Sequence, residues 1–175
     1  IWLCSPNNPT GTVIAQETIE ELAMNTDALL VIDEALGDFR KSNRELIEKY
    51  PNIVVLKTFS KTFGLAGVRL GYMIADTDVI ARVKEVKQLF NVNKVAVAGA
   101  IAALQDRKYY LRQWKRLQRE KKKQIKRLGR LGVAVVGKES NFLLLDLITQ
   151  ERCTYVYNAL LGRGIKIFPG WDEEF

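Results

Sequence analysis

Short, continuous apolar runs divide the first half of the chain, and polar or glycine-containing residues follow each run. The runs cover residues 1–4, 28–35, 52–59 and 69–75. Such runs are typical of strands that are buried on both faces. Helical spacing separates the first two runs, because Ile19, Leu22 and Ala23 share one face of a predicted helix over residues 15–25. The alternation predicts an α/β fold with a mostly parallel sheet flanked by helices.

Helical patterns dominate the rest of the chain. A capping box at Ser42 predicts a short helix to about Tyr50. Further helices are predicted over residues 77–90, 95–106, 107–131 and 151–162, and strands within residues 132–137, 142–147 and 165–168. We therefore expect residues 1–90 to form part of a large domain and residues 91–130 to form linking helices. Residues 131–175 would then belong to a smaller α+β C-terminal domain.

The composition is that of a globular protein, with 47% hydrophobic and 27% charged residues. Because the chain has no histidine, Ser-His and Cys-His nucleophile systems are excluded within this stretch. Cys4 and Cys153 lack metal-ligand spacing, and we interpret both as reduced core residues. No apolar run is long enough to span a bilayer and no signal peptide is visible, which favours a cytoplasmic protein. The chain begins in an apolar run without Met and ends at residues 171–175 without a closing element, so we expect a fragment.

The net charge of +7 comes from one segment. Residues 107–131 hold twelve Lys or Arg and one Glu, so fifteen basic and nineteen acidic residues make up the remainder. Together with Tyr109, Tyr110 and Trp114, this predicted helix could contact nucleic acid. Its basic residues surround the helix and its apolar stripe is incomplete, which favours a solvated helix packed against the core.

Three polar side chains follow the ends of three predicted strands. Asn8 lies after the first strand, Asp33 ends the second and Lys61 follows the third. Ligands of open α/β sheets bind beyond the carboxyl ends of strands, so this pattern predicts a shared site. Each residue also has a structural interpretation, as a turn residue, a strand-end cap or a solvated lysine. Lys61 lies between Phe59 and Phe63, however, and burial there would lower the pKa of its amine and make it nucleophilic toward carbonyls.

Groups suited to a phosphate surround Lys61. Thr58 and Ser60 offer hydroxyls, and Arg69 offers a planar guanidinium. Pyridoxal 5′-phosphate needs an amine for its aldehyde, donors for its phosphate, an acid for its ring nitrogen and an amide for its phenolic oxygen. The predicted cofactor site therefore contains Asn8, Asp33, Thr58, Ser60, Lys61 and Arg69. We expect no metal.

Several motifs in this order resemble the fold type I pyridoxal-phosphate aminotransferases. They are SPNNPTG at residues 5–11, VIDEA with the later DF at 31–39, and TFSKTFGLAGVRLGY at 58–72. LFNVN at 89–93 and ESNFLLLDL at 139–147 resemble the histidinol-phosphate aminotransferase branch, which includes threonine-phosphate decarboxylases. The resemblance implies a large pyridoxal-phosphate-binding domain in residues 1–90.

The same resemblance assigns a role to each candidate residue. It implies that Lys61 is the Schiff-base lysine and that Asp33 pairs with the pyridine nitrogen. Asn8 would donate to the phenolic oxygen of the cofactor. Thr58, Ser60 and Arg69 would bind the phosphate.

The activity implied by the resemblance is amino-group exchange between histidinol phosphate and 2-oxoglutarate in histidine biosynthesis, by a homodimer. Threonine-phosphate decarboxylase or another amino-acid aminotransferase is the alternative, because Lys61 and Asp33 serve all of these reactions. Leu36 stands where the family has tyrosine, and Phe168 stands where the branch commonly has arginine. Leu36 cannot donate a hydrogen bond, so we expect a raised imine pKa and slower chemistry, with an inactive scaffold as a further alternative. We expect weak or no cofactor binding by these 175 residues alone.

Overall fold

The larger sheet of the protein has four strands in sequence order. The computed structural model describes residues 1–37 and 39–170. Its strands are β1 (Trp2–Cys4), β2 (Leu30–Asp33), β3 (Ile53–Thr58) and β4 (Gly71–Ala75). The first three run parallel and β4 runs antiparallel to β3, which confirms the mostly parallel sheet. Strand β4 begins two residues later than predicted, because Arg69 lies in a turn with φ +57°.

Five helices and a second, two-stranded sheet complete the described structure. The helices are α1 (Gln16–Met24), α2 (Thr77–Val86), α3 (Lys94–Gln105), α4 (Arg107–Arg130) and α5 (Gln150–Leu161). Strand β5 (Ala134–Val136) pairs antiparallel with β6 (Leu144–Asp146). The predicted strand at 165–168 is wrong: this segment has no strand in the structure, and Ile165 N instead donates to Leu160 O at the end of α5.

The hydrophobic core lies between α1 and the larger sheet. Ile19 on α1 is fully buried and packs with the buried residues of β2 and β3. Alternate residues of β2 and β3 enter this core, as the period of two requires. The core residues are Ile19, Ala23, Leu30, Ile32, Leu46, Tyr50, Ile53 and Val55. The predicted apolar face of α1 is confirmed, because Ile19 and Ala23 are buried against the sheet.

Other helix predictions need correction. The helix after Ser42 is a single 3₁₀ turn, Asn43–Leu46, capped by the Ser42 hydroxyl. Helix α2 ends at Val86 instead of residue 90, and its predicted apolar face contains no buried residue, since Val86 is 84% exposed. No described helix is long and apolar enough to cross a membrane.

Neither cysteine is part of the core. Both thiols are free, but Cys4 is exposed and Cys153 is only half-buried. Cys4 ends β1, whose residues are exposed or half-buried because this strand lies at the edge of the sheet. Two features from the sequence, Asp38 of the DF motif and the chain end at residues 171–175, lie outside the described residues.

Candidate functional site

The carboxyl ends of β1, β2 and β3 form one edge of the larger sheet. Their register places Cys4 beside Asp33, and Asp33 beside Leu56. Neighbouring strands in a sheet lie about 4.8 Å apart. Asn8, Asp33 and Lys61 therefore follow three adjacent strands at the same edge, as the sequence predicted.

Asp33 has one structural contact and one available oxygen. Its side chain is half-buried, and Oδ1 accepts a hydrogen bond from the backbone N of Ala35 at 2.8 Å. The carboxylate therefore caps the turn after its strand. Across residues 1–37 and 39–170, Oδ2 has no hydrogen-bond partner. Leu36 follows in the same turn and offers no side-chain donor.

Lys61 lies in a closed loop between β3 and β4. Leu65 N donates to Phe59 O and Gly64 N donates to Lys61 O, each at 3.0 Å. The rings of Phe59 and Phe63 contact each other, with centroids 5.1 Å apart. These rings close the loop and leave Lys61 exposed, so the expected burial of its amine is wrong. The amine forms no ion pair or hydrogen bond with any residue that the structure describes.

The predicted phosphate-binding residues lie on both sides of this loop. Thr58 Oγ1 lies 3.0 Å from Ser60 Oγ and accepts a hydrogen bond from Ser60 N at 3.1 Å. It also lies 3.3 Å from the carbonyl oxygen of Leu70, directly after Arg69. Arg69 is exposed and donates from Nη1 to Ala66 O at 2.9 Å. The structure thus brings Thr58, Ser60 and the backbone at Arg69 together, and leaves most guanidinium donors accessible.

Asn93 connects the Arg69 turn to α3. Its Oδ1 accepts from Ala96 N at 2.8 Å and caps the helix, while its Nδ2 donates to Val68 O at 3.2 Å. One amide side chain therefore fixes the helix start relative to the residue before Arg69. This contact gives the LFNVN motif a structural role beside the site.

Asn8 is exposed in a turn that a distant segment supports. Gly11 N donates to Asn7 O at 2.8 Å, which closes the turn. Glu139 N donates to Gly11 O at 3.0 Å, so residues 137–140 pack against it. No described residue binds the Asn8 side chain, which leaves its amide accessible.

The structure also shows a buried lysine that the sequence analysis missed. Lys121 is 5% exposed, and its Nζ donates to Lys138 O at 2.7 Å and to Ser140 O. Burial lowers the pKa of Lys121 because the charged amine loses hydration. The sequence predicted a solvated helix with an apolar stripe against the core, and Lys121 is a basic residue that lies on the buried side. Helical spacing carried the signal, since Leu117, Lys121 and Ile125 share one face of α4.

A second buried charge lies beside the candidate site. Glu34 directly follows Asp33, is 3% exposed and forms a 2.7 Å ion pair with Lys57. Neither residue is among the site residues predicted from the sequence. A signal was present, because Leu30, Ile32 and Glu34 alternate on one buried face.

Comparison with known proteins decides the family. The model of the family described as aminotransferase class I and II matches residues 1–172. The chain belongs to this family. The aminotransferase chain is similar to histidinol-phosphate aminotransferase of Symbiobacterium thermophilum, with 39% identity over 177 residues. That alignment covers 97% of the chain and 48% of the relative.

Other relatives agree in both similarity and coverage. Histidinol-phosphate aminotransferase 3 of Mesorhizobium japonicum is 35% identical over 97% of the chain and 47% of its own length. The crystal structure of histidinol-phosphate aminotransferase from Sinorhizobium meliloti in complex with pyridoxal-5′-phosphate superposes with a TM-score of 0.84. It is 26% identical, over 98% of the aminotransferase chain and 49% of the solved one. The chain thus spans about half the length of these relatives.

L-threonine-O-3-phosphate decarboxylase from Porphyromonas gingivalis also has a similar structure. Its TM-score is 0.75, with 28% identity over 95% of this chain and 53% of its own. The expected resemblance to fold type I aminotransferases is confirmed, and so is the expected fold.

Proposed function

We propose that the protein containing this chain is a pyridoxal-phosphate-dependent aminotransferase that acts on histidinol phosphate and 2-oxoglutarate. One observation carries the proposal: an amine, a carboxylate oxygen and a hydroxyl pair follow adjacent strands at one sheet edge. The substrate assignment rests on the names of relatives at 34–39% identity. Histidine biosynthesis is the process to which this substrate belongs.

The accessible groups fit the chemistry of pyridoxal 5′-phosphate. Asp33 Oδ2, which has no partner among the described residues, would hold a proton on the ring nitrogen. The Thr58 and Ser60 hydroxyls, which already lie 3.0 Å apart, would bind the phosphate with Arg69. Asn8 would donate its exposed amide to the phenolic oxygen.

Lys61 would carry the chemistry at the reacting carbon. Bound pyridoxal 5′-phosphate supplies an electron sink for charge that develops at the substrate Cα. The amine of Lys61 would hold the aldehyde covalently and, once displaced by the substrate amine, take and return a proton at Cα. Its exposed side chain leaves the amine free to move between these two tasks. Burial of the Lys61 amine would require contacts from residues other than 1–37 and 39–170 of this chain.

We also propose the domain division from the sequence: residues 1–90 in the large domain, 91–130 as linking helices and 131–175 in the small domain. In the sequence, the strands of the four-stranded sheet precede α3 and α4, and the strands of the two-stranded sheet follow them, which supports this division.

A cytoplasmic homodimer is the proposed state of the whole protein. Exposed apolar side chains after α2 support an interface, since Leu89 is 85% and Phe90 93% exposed. Light scattering on the whole protein tests the dimer.

Turnover by the whole protein tests the proposed activity. Glutamate formation from histidinol phosphate and 2-oxoglutarate should require Lys61, so Lys61→Ala should abolish it. Lys126→Ala is the matched control, because Lys126 is an exposed lysine of α4 outside the predicted cofactor site. Equal turnover by wild type and Lys61→Ala would overturn the proposal.

Decarboxylation of O-phosphothreonine is the second candidate activity. The similar fold of the Porphyromonas gingivalis decarboxylase favours this candidate. Leu36, which lacks the expected tyrosine hydroxyl, is compatible with a changed reaction. Carbon dioxide released from O-phosphothreonine without glutamate formation would favour the decarboxylase over the aminotransferase.

A further inference from the structure

The buried ion pair of Glu34 and Lys57 is the most completely bonded charge cluster in the described structure. The two side chains are 4% and 11% exposed, and Nζ lies 2.7 Å from Oε2. The Ser42 hydroxyl donates to Oε2 at 2.7 Å. Asn43 donates to Oε1 from its backbone N at 2.7 Å and from Nδ2 at 3.0 Å. Four donors thus satisfy one carboxylate, and removing a partner from such a group is strongly unfavourable.

The position of this pair links it to the candidate site. Glu34 directly follows Asp33, and Lys57 directly precedes Thr58. Glu34 N donates to Leu56 O at 3.0 Å, so the ladder between β2 and β3 continues past the end of β2. Side chains alternate across extended backbone, which places the ion pair on one face and Asp33 and Thr58 on the other.

We propose that the Glu34–Lys57 pair is a positioning element that fixes the spacing between Asp33 and the Thr58–Ser60 hydroxyls. This inference rests on the proposed function. In that function Asp33 binds the ring nitrogen at one end of the cofactor, and Thr58 and Ser60 bind its phosphate at the other. The ion pair connects the ends of β2 and β3 on the opposite face of the sheet, so it sets the distance between these two cofactor contacts.

Hydrogen bonds outside the strands support a fixed spacing. Ser42 caps the 3₁₀ turn between β2 and β3, Asn43 begins it, and both donate to Glu34. The connection is therefore anchored on the same carboxylate that pairs with Lys57. A shift of the β2 end would break the contacts of Glu34 with all three partners, and a shift of the β3 end would break its ion pair with Lys57. Buried, fully bonded charges of this kind specify one arrangement more than they add stability.

Two cofactor probes measure this spacing in the whole protein. Pyridoxal 5′-phosphate engages both contacts, whereas pyridoxal lacks the phosphate and does not depend on their separation. The preference for pyridoxal 5′-phosphate over pyridoxal, as a ratio of Kd values, should fall about tenfold or more in Lys57→Met. Lys57→Arg keeps the charge and should restore most of the preference.

A purely electrostatic role of the ion pair predicts a different pattern of cofactor preferences among the variants. Glu34→Gln removes a negative charge and Lys57→Met removes a positive one, so a purely electrostatic effect on the phosphate would change the preference in opposite directions. The positioning role predicts a lower preference in both variants. Ser42→Ala, which removes one donor to Oε2 but leaves the ion pair, should give a smaller loss in the same direction.

Lys49→Met is the matched control, because it breaks a 3.0 Å ion pair with Glu20 whose lysine side chain is 64% exposed. The cofactor preference should not change in this control. An unchanged preference in Lys57→Met and Ser42→Ala, or opposite shifts in Glu34→Gln and Lys57→Met, would overturn the positioning role alone. A wild-type protein that binds pyridoxal 5′-phosphate no better than pyridoxal would contradict the proposed function, and the inference with it.

Discussion

Gly137 allows two backbone segments to approach more closely than any side chain would permit. Its φ is +59°, and a Cβ at this position would overlap the carbonyl oxygen of Thr10 and lie 2.7 Å from the carbonyl carbon of Gly11. This contact brings residues 137–140 against the turn that carries Asn8. Gly137→Ala therefore perturbs the fold and the candidate site together.

The expected loss has two parts, and a second glycine separates them. An alanine with left-handed backbone costs about 1–2 kcal/mol. Overpacking a close contact adds about 1–3 kcal/mol. Gly132 also has a positive φ, +70°, but no atom lies within 4 Å of its Cβ position. We expect Gly132→Ala to lose about 1–2 kcal/mol of stability and Gly137→Ala about 2–5 kcal/mol.

Urea unfolding of both variants measures the difference directly. The two substitutions are chemically identical, so the excess loss in Gly137→Ala reports the close approach to Thr10 and Gly11. The affinity for pyridoxal 5′-phosphate should also fall in Gly137→Ala only, because the turn must move away. A Gly137→Ala variant no less stable than Gly132→Ala would refute this packing argument.

Three further predictions follow from individual side chains. Asn52→Ala should cost about 1–3 kcal/mol in urea unfolding, because it removes the donor shared by three carbonyl oxygens, those of Ala23, Thr26 and Ala28. A hydrogen bond from Lys49 lowers the pKa of Glu20 below its ordinary value, so Glu20 stabilises the fold at pH above that ordinary value and loses its effect as pH falls through the lower folded value. The difference in unfolding free energy between wild type and Glu20→Gln should therefore be full at neutral pH and shrink in acid; a constant difference would contradict it. Leu36→Tyr should lower the pH midpoint of the cofactor absorbance in the whole protein, because the hydroxyl adds a donor to the phenolic oxygen; an unchanged midpoint would show that the tyrosine does not reach it.

Hydrophobic periodicity correctly predicted the elements whose apolar faces pack against other parts of this chain. The core face of α1 and the buried strands β2 and β3 agree with expectation because Ile19, Ile32 and Val55 bury one another. The predicted apolar face of α2 is not buried, since nothing in the described structure covers Val86. The spacing of apolar residues indicates that one face of a helix packs against something, but it does not indicate which part of a protein that is.

Strand ends were equally predictable, because each apolar run stops where a polar residue leaves the sheet. The shared edge of Asn8, Asp33 and Lys61 follows from parallel pairing alone. The exposure of Lys61 was not predictable, because it depends on how the loop folds between Phe59 and Phe63. Glu34 and Lys57 were missed because a buried ion pair joins residues far apart in sequence, and periodicity shows only that each continues a buried face.

Covalent attachment at Lys61 is the most direct test of the central claim. The whole protein would be mixed with pyridoxal 5′-phosphate, reduced with borohydride, digested and mapped by mass spectrometry. We expect an absorbance band at about 400 nm before reduction and the cofactor mass on the peptide that contains Lys61. Lys61→Ala should lose both signals, while Lys126→Ala keeps them. Cofactor mass on a different lysine, or an undiminished band in Lys61→Ala, would contradict the account.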